Sequence, residues 1–295
     1  MKTKAIVIVG PTASGKSALA VELARTLKGE VISADSRQVY TSLNIGTGKI
    51  TKREMKGVPH HLLDIASPKK VFTAQHFTTK GQKAIAEIIQ RGKVPIICGG
   101  TGFYIDALLG RIPLPHVAPN PNLRRMLQKK NAPQLFTQLK RLDPERAASI
   151  DKNNPVRLIR AIEIAKKLGK VPAMAQADTS NVLWIGLTIE KKVLHTKIHS
   201  RLRARMKQGM VNEAKSLHRA GLSYKRMEAL GLEYRYLARF LQNTITRPQM
   251  LEELEHEIRH YAKRQMTYWK RNSEIIWCSP AHQHKITSLA KKFLK

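Results

Sequence analysis

The sequence predicts an α/β fold: a central parallel sheet that carries a helical insertion. Three observations lead to it. Short, continuous apolar runs such as Ala5–Val9 and Val94–Cys98 alternate with stretches of helical period, as buried strands linked by crossover helices do. A glycine-containing turn joins the first run directly to the first helical stretch. Past Leu109, the proline-rich "GRIPLPHVAPNPN" opens a basic region, residues 120–170, that is helical in pattern and has no strand-like run.

The elements follow in order. Ala5–Val9 is the first strand. Residues 17–27 place Leu19, Ala20, Leu23, Ala24 and Leu27 at helical spacing, an apolar stripe facing a sheet. Residues 30–34 form a short second strand that ends at Asp35, and residues 77–91 are helical. Val94–Cys98 is a third buried strand, stopped by Gly99-Gly100. Strand character returns at residues 182–189, a long basic helical stretch runs to about Arg271, and residues 274–278 are the last strand. The expected organisation is a core made of residues 1–112 and 181–295, interrupted by a helical insertion at 113–180. Internal repeats and low-complexity tails are absent from the sequence.

Composition narrows the function classes. The chain has 295 residues, 53 of them Lys or Arg against 21 Asp or Glu, a formal charge of +32. Such an excess bears on partners rather than fold and points to a polyanion. Cys98 and Cys278 lie far apart in apolar segments and support neither a disulfide framework nor a zinc pattern, which suits a reducing cytosol. The apolar run in "MKTKAIVIVG" is five residues long, so it reads as a strand and not a signal peptide. No stretch approaches the length of a membrane span. A soluble, cytoplasmic protein without a membrane partner is expected.

The turn after the first strand reads G-P-T-A-S-G-K-S: Gly10, then Gly15-Lys16-Ser17 after four residues. By ordinary residue frequencies this pattern arises by chance in roughly one in a hundred chains of this length, and its setting between strand and helix is the required one. The expected core is therefore P-loop NTPase-like. Backbone N–H groups of Thr12, Ala13, Ser14, Gly15, Lys16 and Ser17 would form an anion nest at a helix N-terminus. Lys16 would reach the terminal phosphates, and the Ser17 hydroxyl could ligate Mg²⁺. The segment "IGTGKIT" at residues 45–51 imitates a second such loop, but Leu43 stands where its first glycine would be; it reads as a loop near the site.

A phosphate-hydrolysing site also needs a strand that ends in a carboxylate to organise the metal. Val94–Cys98 ends instead in Gly99-Gly100-Thr101. The one acidic residue at a strand end in this half is Asp35, in "ISADSRQVY". It could hold metal through water, act as a base on an acceptor, or shape a turn. His60-His61 has no third ligand at metal spacing and is expected to serve structure or loop placement. In "EIRHYAKRQMTYWKR", Arg259, Lys263 and Lys270 fall on one helical stripe with Tyr261, Tyr268 and Trp269 interleaved. Phosphate contact and core packing of the aromatics are both open there.

The blocks "GPTASGKS", "ISADSRQVY", "NIGTGK", "KGVPHHLLDI", "GGTGFYIDALLG", "NNPVRLIRAIEI" and "YAKRQMTYWKR" occur in this order. Together they resemble the tRNA dimethylallyltransferase (tRNA isopentenyltransferase) family, nearly end to end and in its bacterial form without a zinc-finger extension. The resemblance implies that the loop, Gly10 and Thr12 to Ser17, holds the diphosphate of dimethylallyl diphosphate. The prenyl group would pass to N6 of the adenosine 3′ of a tRNA anticodon, and diphosphate would leave without ATP consumption.

Residue by residue, Asp35 matches the family's general base, Thr101 a residue beside it that contacts the target adenosine, and Arg201 an arginine that grips the diphosphate. Mg²⁺ near Ser17 would share that charge. The adenosine would be flipped into a channel between core and insertion. Ser36, Arg37 and Gln38 match contacts to flanking nucleotides. Arg124, the run Val156, Arg157, Leu158, Ile159 and Arg160, and Lys263 match tRNA-contacting positions. Arg205, where methionine is common, and Gly231-Leu232, where Gly-Tyr is frequent, depart from the pattern and are expected to bear on tRNA contacts rather than chemistry.

The expected partners are a tRNA anticodon stem-loop and dimethylallyl diphosphate, the chain acting as a monomer. Prenylation of a free adenine nucleotide, phosphorylation of a nucleoside or metabolite by ATP, and RNA binding with the P-loop as a switch remain alternatives. The basic insertion argues against the first, because a mononucleotide needs no extended phosphate track.

Overall fold

The structure is a computed structural model that describes residues 4–173 and 180–295. Three apolar runs become strands buried along nearly their whole length: β1 at Ala5–Val9, β2 at Gly29–Ser33 and, after a two-residue edge strand β3 at His60–His61, β4 at Val94–Cys98. With β5 at Val182–Leu187 and β6 at Ile276–Cys278, they form one six-stranded parallel sheet in the order β3-β2-β4-β1-β5-β6. β1 lies centrally, Ile6 opposite Ile96 on one side and Leu183 on the other.

Strand residues alternate between two cores, as the two-residue period requires. Ile6, Ile8, Ile96 and Ile185 face one core, which is closed by α1 at Lys16–Leu27 and the last helix at Gln283–Leu294. Val7, Val9, Ile97 and Trp184 face the other. That larger core takes apolar side chains from α3 at Ala74–Gln90 and α4 at Gly102–Leu108, after the short α2 at Lys52–Met55.

Strand β3 is not among those expected from the sequence. Two histidines show no apolar period, and what makes them a strand is pairing to Val31 and Ile32 at the sheet edge. A buried carboxylate with a partly exposed arginine partner secures it. Glu30, 5% exposed, accepts from Arg91 Nε and Nη2 at 3.0 and 2.8 Å and bonds His61 Nε2 at 2.6 Å.

The chain divides into two units, one of Met1–Leu109 with Asp178–Lys295 and one of Gly110–Ala177. In the second, α5 at Pro121–Leu127, α6 at Ala132–Leu142, α7 at Pro144–Ser149 and α8 at Pro155–Leu168 enclose their own core around Leu135, Leu139, Leu158 and Ile162. All four helices start at proline or have it in the first two positions, where its missing N–H is no loss.

The first unit continues after β5 with α9 at Lys191–Lys207, α10 at Met210–Arg219, α11 at Tyr224–Leu230, α12 at Leu232–Leu241 and α13 at Arg247–Trp269. The last helix, Gln283–Leu294, is α14. α13 buries Met250, Leu254, Ile258, Ala262, Gln265 and Trp269 along one stripe. The one polar member of that stripe, Gln265, lies at the active end of the sheet. Among the described residues no helix is long and apolar enough to cross a membrane.

Candidate active site

The carboxyl ends of β1, β2 and β4 open onto one cavity of about 180 Å³ in the first unit, where ligands of open α/β sheets bind. Its floor is the turn between β1 and α1. Gly10 has φ 140°, and a Cβ there would sit 2.8 Å from the Leu187 carbonyl oxygen of β5, so no other residue fits. Ala13 holds φ 63°, a left-handed conformation costing an L-residue roughly 1–2 kcal/mol and typical of anion nests.

The nest is smaller than expected. Thr12 N–H donates to Gln265 Oε1 at 2.7 Å and Ser14 N–H to the Pro11 carbonyl at 3.3 Å. The amides of Ala13, Gly15, Lys16 and Ser17 have no protein acceptor among the described residues and line the cavity. The Ser14 hydroxyl is fully buried and likewise has no protein partner.

Lys16 is one of two cations at the cradle. Its ammonium donates to the Pro11 carbonyl at 2.6 Å. Although the side chain as a whole is half-buried, loss of hydration at the ammonium pulls its pKa down to about 8; Arg201 adds to this, and Cys98 and Asp35 oppose it. The Ser17 hydroxyl is exposed to the cavity mouth.

Arg201 enters from α9 and bonds the Gly48 carbonyl through Nη2 at 3.1 Å. Desolvation and then neighbouring Arg205 lower its pKa to about 10, so it remains a cation at neutral pH. Arg205, one turn later and 7% exposed, donates from Nη1 to the Gly46 carbonyl at 3.2 Å and to Glu233 at 3.0 Å. The loop carrying these carbonyls is gripped by Glu213, whose carboxylate accepts the amides of Asn44, Ile45 and Gly46 at 2.9, 2.7 and 2.9 Å. Arg205 is thus an internal brace, and its departure from the family pattern can reach RNA only through this loop.

Asp35 faces the cradle from the end of β2. Its Oδ1 accepts the amides of Arg37 and Gln38 at 2.8 and 3.2 Å, a turn-forming role, while Oδ2 has no protein partner among the described residues. One carboxylate oxygen holds the turn and the other is left for a ligand. Thr101 does not itself line the cavity. Its Oγ1 accepts the Ser36 N–H at 3.0 Å, and it shares a hydrogen bond with the Tyr261 hydroxyl. Tyr261 lines the cavity, its pKa raised by burial and by the Asp35 charge. Gln38 also lines it, whereas Arg37 folds back onto the Ser36 carbonyl at 3.2 Å.

The residues expected to meet tRNA separate into exposed and internally engaged groups. In the second unit Val156 is 77% exposed, and Arg157 is exposed with no side-chain partner among the described residues. Leu158 and Ile159 are core residues at 0% and 8% exposure, so their side chains are unavailable to RNA. Arg124 and Arg160 converge on Glu163, 2% exposed, at 2.7 and 2.5 Å. Burial drives the Glu163 pKa up, but Arg124, the Asn120 amide and Arg160 overcome it and hold the carboxyl below the usual range. On α13, Lys263 is exposed while Trp269 is buried in the core.

The Ser17 hydroxyl is the cradle oxygen that could hold Mg²⁺ directly, with Asp35 Oδ2 left to the acceptor, so few protein donors would meet the ion. That sparse set suits an ion that keeps waters and takes its remaining ligands from substrate phosphates. Among the described residues the one cluster with three metal-ligating side chains is His256, Glu257 and His260 on α13, a nitrogen-rich group unlike a magnesium site.

Gln265 and Glu213 carry no site role in the sequence reading, and Tyr261 stands there only as an aromatic open to phosphate contact or core packing. For Gln265 a signal existed: a polar side chain at a core position of an amphipathic helix must find partners for both ends of its amide.

The IPP transferase family model matches residues 38–272. The chain is 41% identical over 271 residues to tRNA dimethylallyltransferase 1 of Geotalea uraniireducens, covering 92% of this chain and 89% of that protein. It is 39% identical over 295 residues to the tRNA dimethylallyltransferase of Leuconostoc citreum, covering 99% of each. The crystal structure of the tRNA isopentenylpyrophosphate transferase of Bacillus halodurans matches with a TM-score of 0.76 at 35% identity, covering 99% of this chain and 97% of that one. With the motifs, sheet and phosphate cradle all in agreement, the chain belongs to the IPP transferase family.

Proposed function

We propose that this protein transfers the dimethylallyl group of dimethylallyl diphosphate to N6 of the adenosine 3′ of a tRNA anticodon, releasing diphosphate. The observation that carries the reading is a phosphate cradle and a carboxylate oxygen facing one cavity. The cradle has partnerless amides at Ala13, Gly15, Lys16 and Ser17, an orphaned buried hydroxyl at Ser14, and two cations, Lys16 and Arg201. A diphosphate supplies the acceptors that these groups lack. Family membership names the acceptor, since the relatives are tRNA dimethylallyltransferases.

N6 attacks C1 of the prenyl group, the C1–O bond breaks, and its electron pair leaves with the diphosphate. Amides and cations are already in place where that charge grows, which is the efficient way to stabilise it. An adenine amino group is a very poor acid until it bonds carbon, so Asp35 Oδ2 accepts its proton late and then passes it to water. The turn bonds to Oδ1 keep the carboxylate in place without occupying the reacting oxygen. Mg²⁺ held by the Ser17 hydroxyl and diphosphate oxygens would offset further charge on the leaving group. Exposed Arg157 and Lys263 supply phosphate contacts to tRNA, consistent with the +32 charge.

Use of the cradle for ATP-driven phosphorylation is less well supported, because β4 ends at Cys98, is followed by Gly99, and brings no second carboxylate to the cavity. Incubation with labelled dimethylallyl diphosphate and unmodified tRNA, followed by nucleoside digestion, tests the proposal: labelled isopentenyladenosine is expected.

A further inference from the structure

We infer that Gln265 is a positioning residue that sets the separation between the leaving-group cradle and the base. For its catalytic consequence this rests on the proposed prenyl transfer; the clamp itself rests on geometry. Gln265 is 5% exposed on α13, in the buried stripe that also carries Ala262 at 2% and Trp269 at 1%. Its Oε1 accepts Thr12 N–H at 2.7 Å and its Nε2 donates to the Gly100 carbonyl at 3.0 Å. A Cβ on Gly100 would lie 2.0 Å from that Nε2, so glycine is what lets the amide approach.

The two backbone groups tied together belong to opposite halves of the reaction. Thr12 opens the phosphate cradle. Gly100 precedes Thr101, whose hydroxyl accepts the Ser36 N–H beside Asp35. One rigid side chain therefore links cradle to base, through groups that an apolar residue would leave unpaired in the interior. A misplacement of about 1 Å between reacting groups costs roughly a hundredfold in rate, so the bridge matters for kcat more than for either binding step. It also removes the Thr12 amide from the set that meets phosphate.

Gln265→Ala is expected to lower kcat about 10- to 100-fold while KM for dimethylallyl diphosphate and Kd for tRNA stay within about threefold. Gln265→Glu keeps the acceptor for Thr12 and loses the donor to Gly100 until it is protonated. Its activity relative to wild type should therefore rise as pH falls from about 8.5 to about 6. Gly100→Ala displaces the same amide, so it should copy Gln265→Ala and add little in the double variant.

Lower melting temperature with unchanged kcat per folded molecule, a flat pH ratio for Gln265→Glu, or loss of diphosphate affinity in proportion to rate would each overturn the role. Hydrogen exchange decides the clamp independently of the reaction. In Gln265→Ala, amides at residues 12–14 and 99–101 should exchange faster while α14 is unchanged, and unaltered exchange there overturns it. If the wild type makes no isopentenyladenosine, the transfer reading fails alone and the exchange result still stands.

Discussion

Ser36 donates its backbone N–H to the Thr101 hydroxyl at 3.0 Å, so the residue following the candidate base is pinned to the loop that ends β4. Thr101→Ser keeps the acceptor and should keep most activity. Thr101→Val removes it and should lower kcat about tenfold, the worth of a hydrogen bond of roughly 1.4 kcal/mol. Asp35→Ala should lower kcat about 10²- to 10⁴-fold and leave tRNA affinity intact. Filter binding beside single-turnover rates checks both, and a collapse of tRNA binding in Asp35→Ala would contradict the base assignment.

Lys16, with a pKa pulled down to about 8, makes diphosphate binding pH-dependent. Bound diphosphate favours the ammonium and raises its pKa, so binding takes up a proton above about pH 8 and affinity falls as pH rises. The diphosphate Kd should weaken about tenfold from pH 7 to 9 relative to Lys16→Met, whose pH dependence reports only the ligand's own ionisation. Ligand-free stability moves the other way. The folded pKa lies below the unfolded value of 10.5, so the unfolded state binds more protons between about pH 8 and 10.5 and stability rises through that window. Calorimetry in two buffers and melting curves read the two effects.

Arg157 and Arg160 sit one turn apart on α8 but should respond differently. Arg157 is exposed and unpaired among the described residues, whereas Arg160 holds buried Glu163 at 2.5 Å and the Val117 carbonyl at 2.9 Å. Arg157→Ala should weaken tRNA binding and reduce the salt slope by about one without changing the melting temperature. Arg160→Ala should destabilise the protein by about 2–4 kcal/mol, because it strips a partner from a buried carboxylate. Equal melting temperatures for the two variants would contradict this division.

Much of the fold could be read in advance because its determinants are local. β1 and β4 are continuous apolar runs, and α1 carries its stripe at helical spacing. His60–His61 was not legible as a strand, since its only determinant is an open edge on β2. The cradle was legible as a motif, but the loss of the Thr12 amide to Gln265, 253 residues away, was not. The positions expected to contact tRNA on α5 and α8 divide by burial. Arg157 is solvated, while Arg124 and Arg160 are drawn inward by a carboxylate whose burial no spacing rule reveals, and Leu158 and Ile159 belong to the core.

Arg205 tests the brace behind Arg201. Arg205→Met removes the partner of Glu233, which is 13% exposed in its side chain, and should cost about 3 kcal/mol. Arg205→Met with Glu233→Gln should cost less than the sum of the single changes. Thermal melts of the four proteins check the coupling, and strict additivity would contradict it.

The most direct measurement follows wild-type protein with labelled dimethylallyl diphosphate, unmodified tRNA and no ATP, counting diphosphate released against isopentenyladenosine recovered from the digested tRNA. The account predicts one diphosphate per modified adenosine, with the modification 3′ of the anticodon. Absence of the modified nucleoside, or its formation only when ATP is consumed, would contradict it.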